Sequence, residues 1–536
     1  MKKDRKQSFM QGIITLMFSQ VLIKILGLAY KLYLTNKEGY GDVGNAISSS
    51  GFQIYALLLT ISSAGVPNAI SKLISERLSI GDERGASKIF KVAFATFSLI
   101  GFAGSTFLFF NAHYLANYIL EIPEAELTLM CLAPSIFFVS LISVYRGYFN
   151  GYQNMRPMAK SQTVEQLAKM SLSILLVEII CYLFGNSKDT TGLMSAVSNL
   201  ATTIATFISF VYLSSLYIKE RKDNNYNKVK VRGITNRQIL KNIIIIAMPM
   251  TISAIFGGLN RNIDSITVVR DLKNFLTEEQ AQVQYGILSG KVETLVTFPF
   301  SFNIAFATAL VPAISAAKAS KNIENAKKRI SLSLLITILI GLPCSIGMFI
   351  YAEPILKLLF PNASSGAFIF KISAMSIIFV TIGQTITGAL HGIGKTYVPI
   401  FSLLVGVILK LIINLTFVKI NPDTFILGGV AGASFGTLIC HIVSMLINTY
   451  ILRKHIKFEF SLSKFIIKPI IAVTFMGIIS LCAYKWLLCI FVEKLAIILT
   501  IIIAVFVYII FILILKIFNK EELKMIPFLK RIKFSK

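Results

Sequence analysis

A chain of 536 residues that is 55% hydrophobic, only 15% charged and of mean hydropathy +0.72 is not a soluble domain. Soluble domains average about 25% charged residues and do not carry apolar runs of about 20 residues end to end. Its 53 Lys and Arg against 26 Asp and Glu give a net charge of +27, but the basic residues fall in alternate connections between apolar runs. That pattern argues for membrane orientation and not for nucleic-acid binding.

In chain order, apolar stretches able to span recur near 10–34, 45–70, 90–111, 128–152, 158–184, 190–218, 242–269, 283–316, 330–352, 368–393, 397–419, 426–452, 465–484 and 494–518. This predicts an all-α integral membrane protein of about fourteen transmembrane helices. The start, "MKKDRKQSFMQGIITLMF", has the basic flank of a signal peptide, but its apolar run continues past Leu34. That is beyond the roughly 7–15 residues of a signal-peptide core, and no small-residue cleavage site closes it, so a retained first helix is expected. With the N-terminus inside, about 34 Lys/Arg fall in cytoplasmic segments and about 8 outside. The expected location is a bacterial cell membrane, with both termini cytoplasmic. The densest basic segment is 219–241, and a basic tail occupies 519–536. The connection after the third span holds Glu121, Glu124 and Glu126 and no Lys or Arg. A basic inner face also attracts anionic membrane lipid.

Six cysteines (Cys131, Cys181, Cys344, Cys440, Cys482, Cys489) are scattered through apolar segments without a C-x-x-C, and His113, His391, His441 and His455 form no cluster. Neither a disulfide framework nor a metal site is expected. No G-x-x-x-x-G-K-[ST] loop is present to hold a nucleotide, so no cofactor is expected.

Two stretches repeat. "LLLTISSAGVPNAISKLISE" (57–76) and "FATALVPAISAAKASKNIENAKKR" (306–329) align Val66-Pro67 with Val311-Pro312. "RGYFNGYQNMRPMAKSQTVEQLAK" (146–169) and "TGALHGIGKTYVPIFSLLVGVILK" (387–410) match Gly147 and Gly151 with Gly388 and Gly392, Pro157 with Pro399, and Lys169 with Lys410. The order and offset predict duplicated six-helix halves, 8–218 and 242–452, joined by the basic linker. Six spans per half is an even number, so the halves are parallel, with a pseudo-twofold axis along the membrane normal and a substrate site at their interface. Pro67 and Pro312 are hinge candidates, although simple helix bends are the plainer reading of a proline inside a span. The helices within 465–518 stand outside the duplication.

A charge at mid-bilayer costs at least about 2.5–3.5 kcal/mol, so each calls for a reason. The spans hold Lys24 and Lys31, Glu165 and Lys169, Arg261 and Asp264, Lys291 and Glu293, and Lys410. Glu165–Lys169 and Arg261–Asp264, at helical spacing, read as internal ion pairs, and these acids with Glu293 are also coupling candidates. Lys24, Lys31 and Lys410 have no acid at i±3 or i±4. Lys31 could snorkel, but together the basic set predicts a cationic cavity suited to phosphate or pyrophosphate.

These motifs and the duplicated layout resemble the stage V sporulation protein B group, in the polysaccharide-transport branch of the multidrug/oligosaccharidyl-lipid/polysaccharide exporter superfamily, which includes the lipid II flippases. The resemblance implies two lobes in a V around a central cavity, and a groove for a polyprenyl tail along the last two spans. The implied activity is flipping of undecaprenyl-pyrophosphate-linked peptidoglycan precursor to the outer leaflet. It also implies substrate contacts from Lys24, which matches the basic position of the flippases' first-span pattern, and from Lys31, displaced by one residue. Where flippases of Gram-negative bacteria carry arginines in the second and eighth spans, this chain has Leu59 and Thr294, with Lys291 the nearest basic residue to the latter. Lys169, Arg261, Lys291 and Lys410 complete the expected cation set.

The lipid-linked glycan would be the partner, driven by membrane potential, H⁺ or Na⁺. A monomer is expected, since the duplication builds the cavity alone. A drug or cation exporter of the same superfamily would need acidic cavity residues, and three of Glu165, Glu178, Asp264 and Glu293 have a basic neighbour within four residues. A membrane glycosyltransferase would need catalytic carboxylates or a large loop, and the external loops are short, so a transporter rather than an enzyme is expected.

Overall fold

The structure is a computed structural model that describes residues 9–63, 65–152, 154–185, 190–222, 235–300, 303, 307, 310, 311, 314, 323–456 and 461–518. It is helical, with no strand among the described residues. In order come α1 (Phe9–Asn36), α2 (Gly41–Ser63), α3 (Val66–Ser79), α4 (Glu83–Phe110), α5 (Ala125–Gly151), α6 (Arg156–Phe184), α7 (Thr191–Lys222), α8 (Asn236–Leu272) and α9 (Glu278–Gly286), which runs into a π-helical turn (Ile287–Val292). Then follow α10 (Ile323–Ile350), α11 (Ala352–Leu359), α12 (Ala367–Gly392), α13 (Tyr397–Phe417), α14 (Val430–His455), α15 (Lys468–Leu488) and α16 (Glu493–Ile514).

Among the described residues, 12 helices are long and apolar enough to cross a membrane. They match predicted spans two to seven and nine to fourteen. The first predicted span is α1, 28 residues long. The eighth begins as α9 and its π-turn and is described as helix on to residue 300; most of the rest lies outside the described residues.

The second predicted span is not one unbroken helix. α2 ends at Ser63, and α3 starts at Val66 behind Gly65. Pro67 therefore stands in the first turn of α3, where its missing N–H removes no intrahelical bond, and not in mid-helix as the sequence suggested. Pro312 lies outside the described residues.

The chain divides into two compact units, Met1–Thr294 with Asn414–Ala433, and Leu295–Ile413 with Ser434–Lys536. In the first, α3, α4, α5, α7 and α8 share one apolar core. Its centre is aromatic: Phe90 stacks on Tyr217 with ring centroids 4.3 Å apart, and Tyr145 and Tyr148 close around them. In the second, α10 packs on α12 and α15 on α16. Asn303 binds the second unit's helices through satisfied hydrogen bonds. Its Nδ2 donates to the Thr381 carbonyl at 2.8 Å, Thr337 donates to its Oδ1 at 2.9 Å, and Thr337 meets Thr385 at 2.7 Å. In hydrocarbon, such closure is what makes buried polar groups tolerable.

The same packing detail occurs in both units. A Cβ on Gly147 would stand 2.9 Å from the Pro67 carbonyl oxygen, and one on Gly151 3.1 Å from that of Ser71. In the second unit a Cβ on Gly388 would stand 2.5 Å from the Ala307 carbonyl oxygen, and one on Gly392 3.1 Å from that of Val311. In each unit two glycines one turn apart receive two carbonyls one turn apart. The packing counterpart of Pro67 is thus Ala307, about a turn before the Val-Pro match drawn from sequence.

Candidate functional site

The site starts from two local signals in the sequence. Thr277 and Gln280 form a capping box, each side chain accepting from the other's backbone N–H at 3.4 and 3.2 Å, which starts α9 sharply. Gly286 and Gly290 follow at the G-x-x-x-G spacing that lets membrane helices touch backbone to backbone. A Cβ on Gly286 would stand 1.8 Å from the Asp42 carbonyl oxygen, and one on Gly290 2.6 Å from Asn45 Cβ. α2 and α9 are therefore in contact along their backbones.

That approach fixes Lys291. Its Cα–Cβ bond tilts toward the start of its helix, and Nζ meets Asp42 Oδ2 at 2.8 Å with the lysine side chain fully buried. Beside it, Asn45 Nδ2 donates to Thr35 on α1 at 3.0 Å. Lys291 was expected to line an open cavity. It is instead engaged by Asp42 inside the protein, beside the close α2–α9 contact.

The remaining charges of the first unit lie on α1, α6, α8 and the end of the π-turn, within one another's fields. Lys24 on α1 is exposed, and the charges of Arg261 and Glu293 act on it. Arg261 Nε stands 3.7 Å from Glu293 Oε1, with the side chains 50% and 30% exposed, so this pair is open to small ligands. Lys31 is half-buried within the fields of Lys169, Asp42 and Glu293. Lys169 on α6 points Nζ over Tyr30 at 5.6 Å and Phe52 at 5.1 Å, a cation–π bracket.

The helical-neighbour pairs read from sequence are re-partnered. Glu165 pairs with Arg146 of α5 at 2.8 Å and not with Lys169, and Asp264 accepts from Asn414 at 2.9 Å while Arg261 turns to Glu293. Partners from other helices come closer than the i,i+3 and i,i+4 positions offer. In the second unit, Lys410 is fully buried, and His441 lies within its field. The repeat positions of Arg146 and Glu165, aligned on the glycines, are Thr387 and Gly406. There the ion pair is replaced by a close backbone approach, with a Gly406 Cβ 2.6 Å from the Cys440 carbonyl oxygen.

The structure thus brings Lys24, Lys31, Lys169, Arg261 and Glu293 together in the first unit and takes Lys291 out of the open set. Asp42, Arg146, Tyr30 and Phe52 belong to the site but were not singled out from sequence. For Asp42 the G-x-x-x-G signal at Gly286 was legible. For Arg146 nothing in one dimension pointed to Glu165, 19 residues away. Four cations in one unit can bind an anion of more than one charge. Among the described residues no three His, Cys, Asp or Glu side chains gather as a metal site.

Comparison with known proteins follows the same line. Residues 9–318, over half of the chain, match the family of polysaccharide biosynthesis proteins, and residues 290–416 match the MatE family. Stage V sporulation protein B of Bacillus subtilis (strain 168) is 24% identical over 531 residues, 98% of this chain and 99% of that protein. The lipid II flippase MurJ of the same organism is 24% identical over 503 residues, 90% of each. Among solved structures, the fold is that of lipid II flippase MurJ in an inward closed conformation, with TM-score 0.68, 18% identity and coverage of 93% of this chain and 98% of that one. It is also that of an inward-facing multidrug resistance MATE family transporter of the MOP superfamily, with TM-score 0.67, 15% identity and coverage of 84% and 98%. The named activities among these are flipping and transport, not enzymatic catalysis. The chain is a multi-pass membrane protein and belongs to the polysaccharide biosynthesis protein family.

Proposed function

We propose that this protein is a flippase for an undecaprenyl-pyrophosphate-linked peptidoglycan precursor, lipid II, in a bacterial cell membrane with both termini cytoplasmic. The observation that carries this reading is that Lys24, Lys31, Lys169 and Arg261 lie in one unit, with the charge of Arg261 acting on Lys24 and that of Lys169 on Lys31. A diphosphate-sugar headgroup cannot cross hydrocarbon alone, because burying unpaired charge costs many kcal/mol. These cations would replace water as its partners while the prenyl chain stays in lipid or along α15 and α16. Lys410 is the corresponding candidate in the second half. The duplicated halves, 8–218 and 242–452, would alternate access as a monomer, with Pro67 and Gly65 as the flexing point of the first. Outward movement of an anionic headgroup runs down an inside-negative potential, worth roughly 2.3 kcal/mol per charge per 100 mV. H⁺ or Na⁺ coupling through Asp264 or Glu165 is compatible with this.

Another lipid-linked oligosaccharide is the nearest alternative substrate. A cation exporter is supported by the MatE match. It is opposed by the pairing of Asp42, Glu165, Glu178 and Glu293 with basic side chains, which leaves little open acid for a cationic substrate.

The test is depletion in a bacterium in which this is the sole flippase, counting lipid II reachable by an added external enzyme. Lys24→Ala with Arg261→Gln should lower external lipid II by about tenfold or more, since each lost charge-assisted hydrogen bond is worth about 1.5–3 kcal/mol. Lipid II retained inside while an organic dye is exported would favour the exporter.

A further inference from the structure

The cations of the first unit form two groups along α1. The basic charge acting on Lys24 is that of Arg261, and the one acting on Lys31 is that of Lys169. Lys24 and Lys31 stand seven residues apart on one face of the helix, about 10 Å along its axis. Lys169 is held at the Lys31 end, with Nζ 5.6 Å from the centre of the neighbouring Tyr30 ring and 5.1 Å from that of Phe52. Tyr30 is itself anchored, its hydroxyl interacting with Ser173 of α6 and Ser198 of α7. The two phosphorus atoms of a diphosphate share one bridging oxygen, so one diphosphate does not fill both groups.

Among the described residues, neither Lys31 nor Lys169 makes an ion pair. Of the acids whose charges act on them, Asp42 is engaged by Lys291 and Glu165 by Arg146, each at 2.8 Å, and Glu293 stands beside Arg261. The rings orient Lys169 without neutralising it. Both ammonium groups are half-buried and one lies in the field of the other, so an anion shared between them relieves their repulsion where water screens it poorly. We propose that Lys31 and Lys169 form a second anion subsite, which takes a carboxylate on the glycan or peptide of the lipid-linked substrate while the Lys24–Arg261 group takes the diphosphate. This rests on the flippase reading above and adds to it the class of headgroup carried, an acidic one. In the orientation proposed above α1 runs outward, so Lys31 lies about two turns beyond Lys24. The diphosphate is tethered to the prenyl chain and trails, whereas the glycan leads, which brings its carboxylate to the level of Lys31. One carboxylate bridging two ammonium groups compensates both.

The test compares two lipids in phosphatidylcholine nanodiscs. One is lipid II, whose peptide carries free carboxylates, and the other is undecaprenyl diphosphate bearing a single N-acetylglucosamine, which carries none. Lys31→Gln and Lys169→Gln should each weaken lipid II binding about tenfold, the loss of one charge-assisted contact, and binding of the second lipid less than about twofold. Lys24→Gln should weaken both lipids by a similar factor. Lys169→Arg keeps the charge and the ring contacts and should hold lipid II near the parent affinity. If the glutamine variants do not fold, the parent protein carries the test: it should bind lipid II about tenfold more tightly than lipid II with its peptide carboxylates amidated. Equal losses for the two lipids in Lys169→Gln would overturn the proposal and make the pair a second station for the diphosphate. No loss for either lipid, or equal parent affinity for the free and amidated forms, would overturn it as well. A parent protein that binds both lipids no better than a neutral glycolipid would instead overturn the flippase reading, so the two failures are distinguishable.

Discussion

Lys291→Met is expected to destabilise the protein by about 3–5 kcal/mol, because it leaves the Asp42 carboxylate buried without its cation. The lysine side chain is fully buried and the aspartate 8% exposed, at 2.8 Å, so little water reaches the contact to screen it. The measurement is the thermal unfolding midpoint in detergent, read beside the yield of folded protein. Asp42→Ala with Lys291→Met should recover most of the loss, since removing both members of a buried pair is often neutral or better. Flipping per folded molecule should be nearly unchanged in that double variant. If it drops as far as in Lys24→Ala, Lys291 meets substrate after all. A single-variant loss under about 1 kcal/mol would mean that the pair is hydrated and contributes as a surface pair does.

The second large effect is expected at Gly286. An alanine there would put Cβ 1.8 Å from the Asp42 carbonyl oxygen and 2.7 Å from its carbonyl carbon, and neither backbone atom can turn aside. α2 and α9 would have to separate, which overpacking data put at about 3 kcal/mol or more for a change of this severity. Gly290→Ala should cost less, because its nearest neighbours are side-chain atoms of Asn45. Gly257→Ala on α8 is the control. Nothing lies within 4 Å of a Cβ there, so it should be neutral or stabilise by up to about 1 kcal/mol through helix propensity. Unfolding midpoints in the order Gly257→Ala, Gly290→Ala, Gly286→Ala, from highest to lowest, would bear this out. Equal midpoints for the three would mean that the α2–α9 contact adapts.

Much of the site was legible as a set and little of it as a geometry. Buried charge is expensive in hydrocarbon, so Lys24, Lys31, Lys169 and Arg261 stood out on composition alone. What each touches was not legible. Glu165 seemed assigned to Lys169 by helical spacing, yet Arg146 from another helix takes it, and Lys169 goes to the faces of Tyr30 and Phe52. A helix-surface ion pair contributes only a few tenths of a kcal/mol, so any better-placed partner on a neighbouring helix outweighs it. The paired glycines were legible for a related reason: close packing requires them, and the same kind of contact occurs in both units.

By itself the sequence determined a helical membrane protein with spans close to those observed, its repeated glycine pairs and its cationic character, because hydrophobic length and the cost of charge act locally along the chain. Only the tertiary structure decided which charges face one another. Lys291 was withdrawn into a pair with Asp42, 249 residues away, and Glu293 was left beside Arg261. Those choices depend on which helices touch, and here two glycines, Gly286 and Gly290, permit the contact that sets the rest.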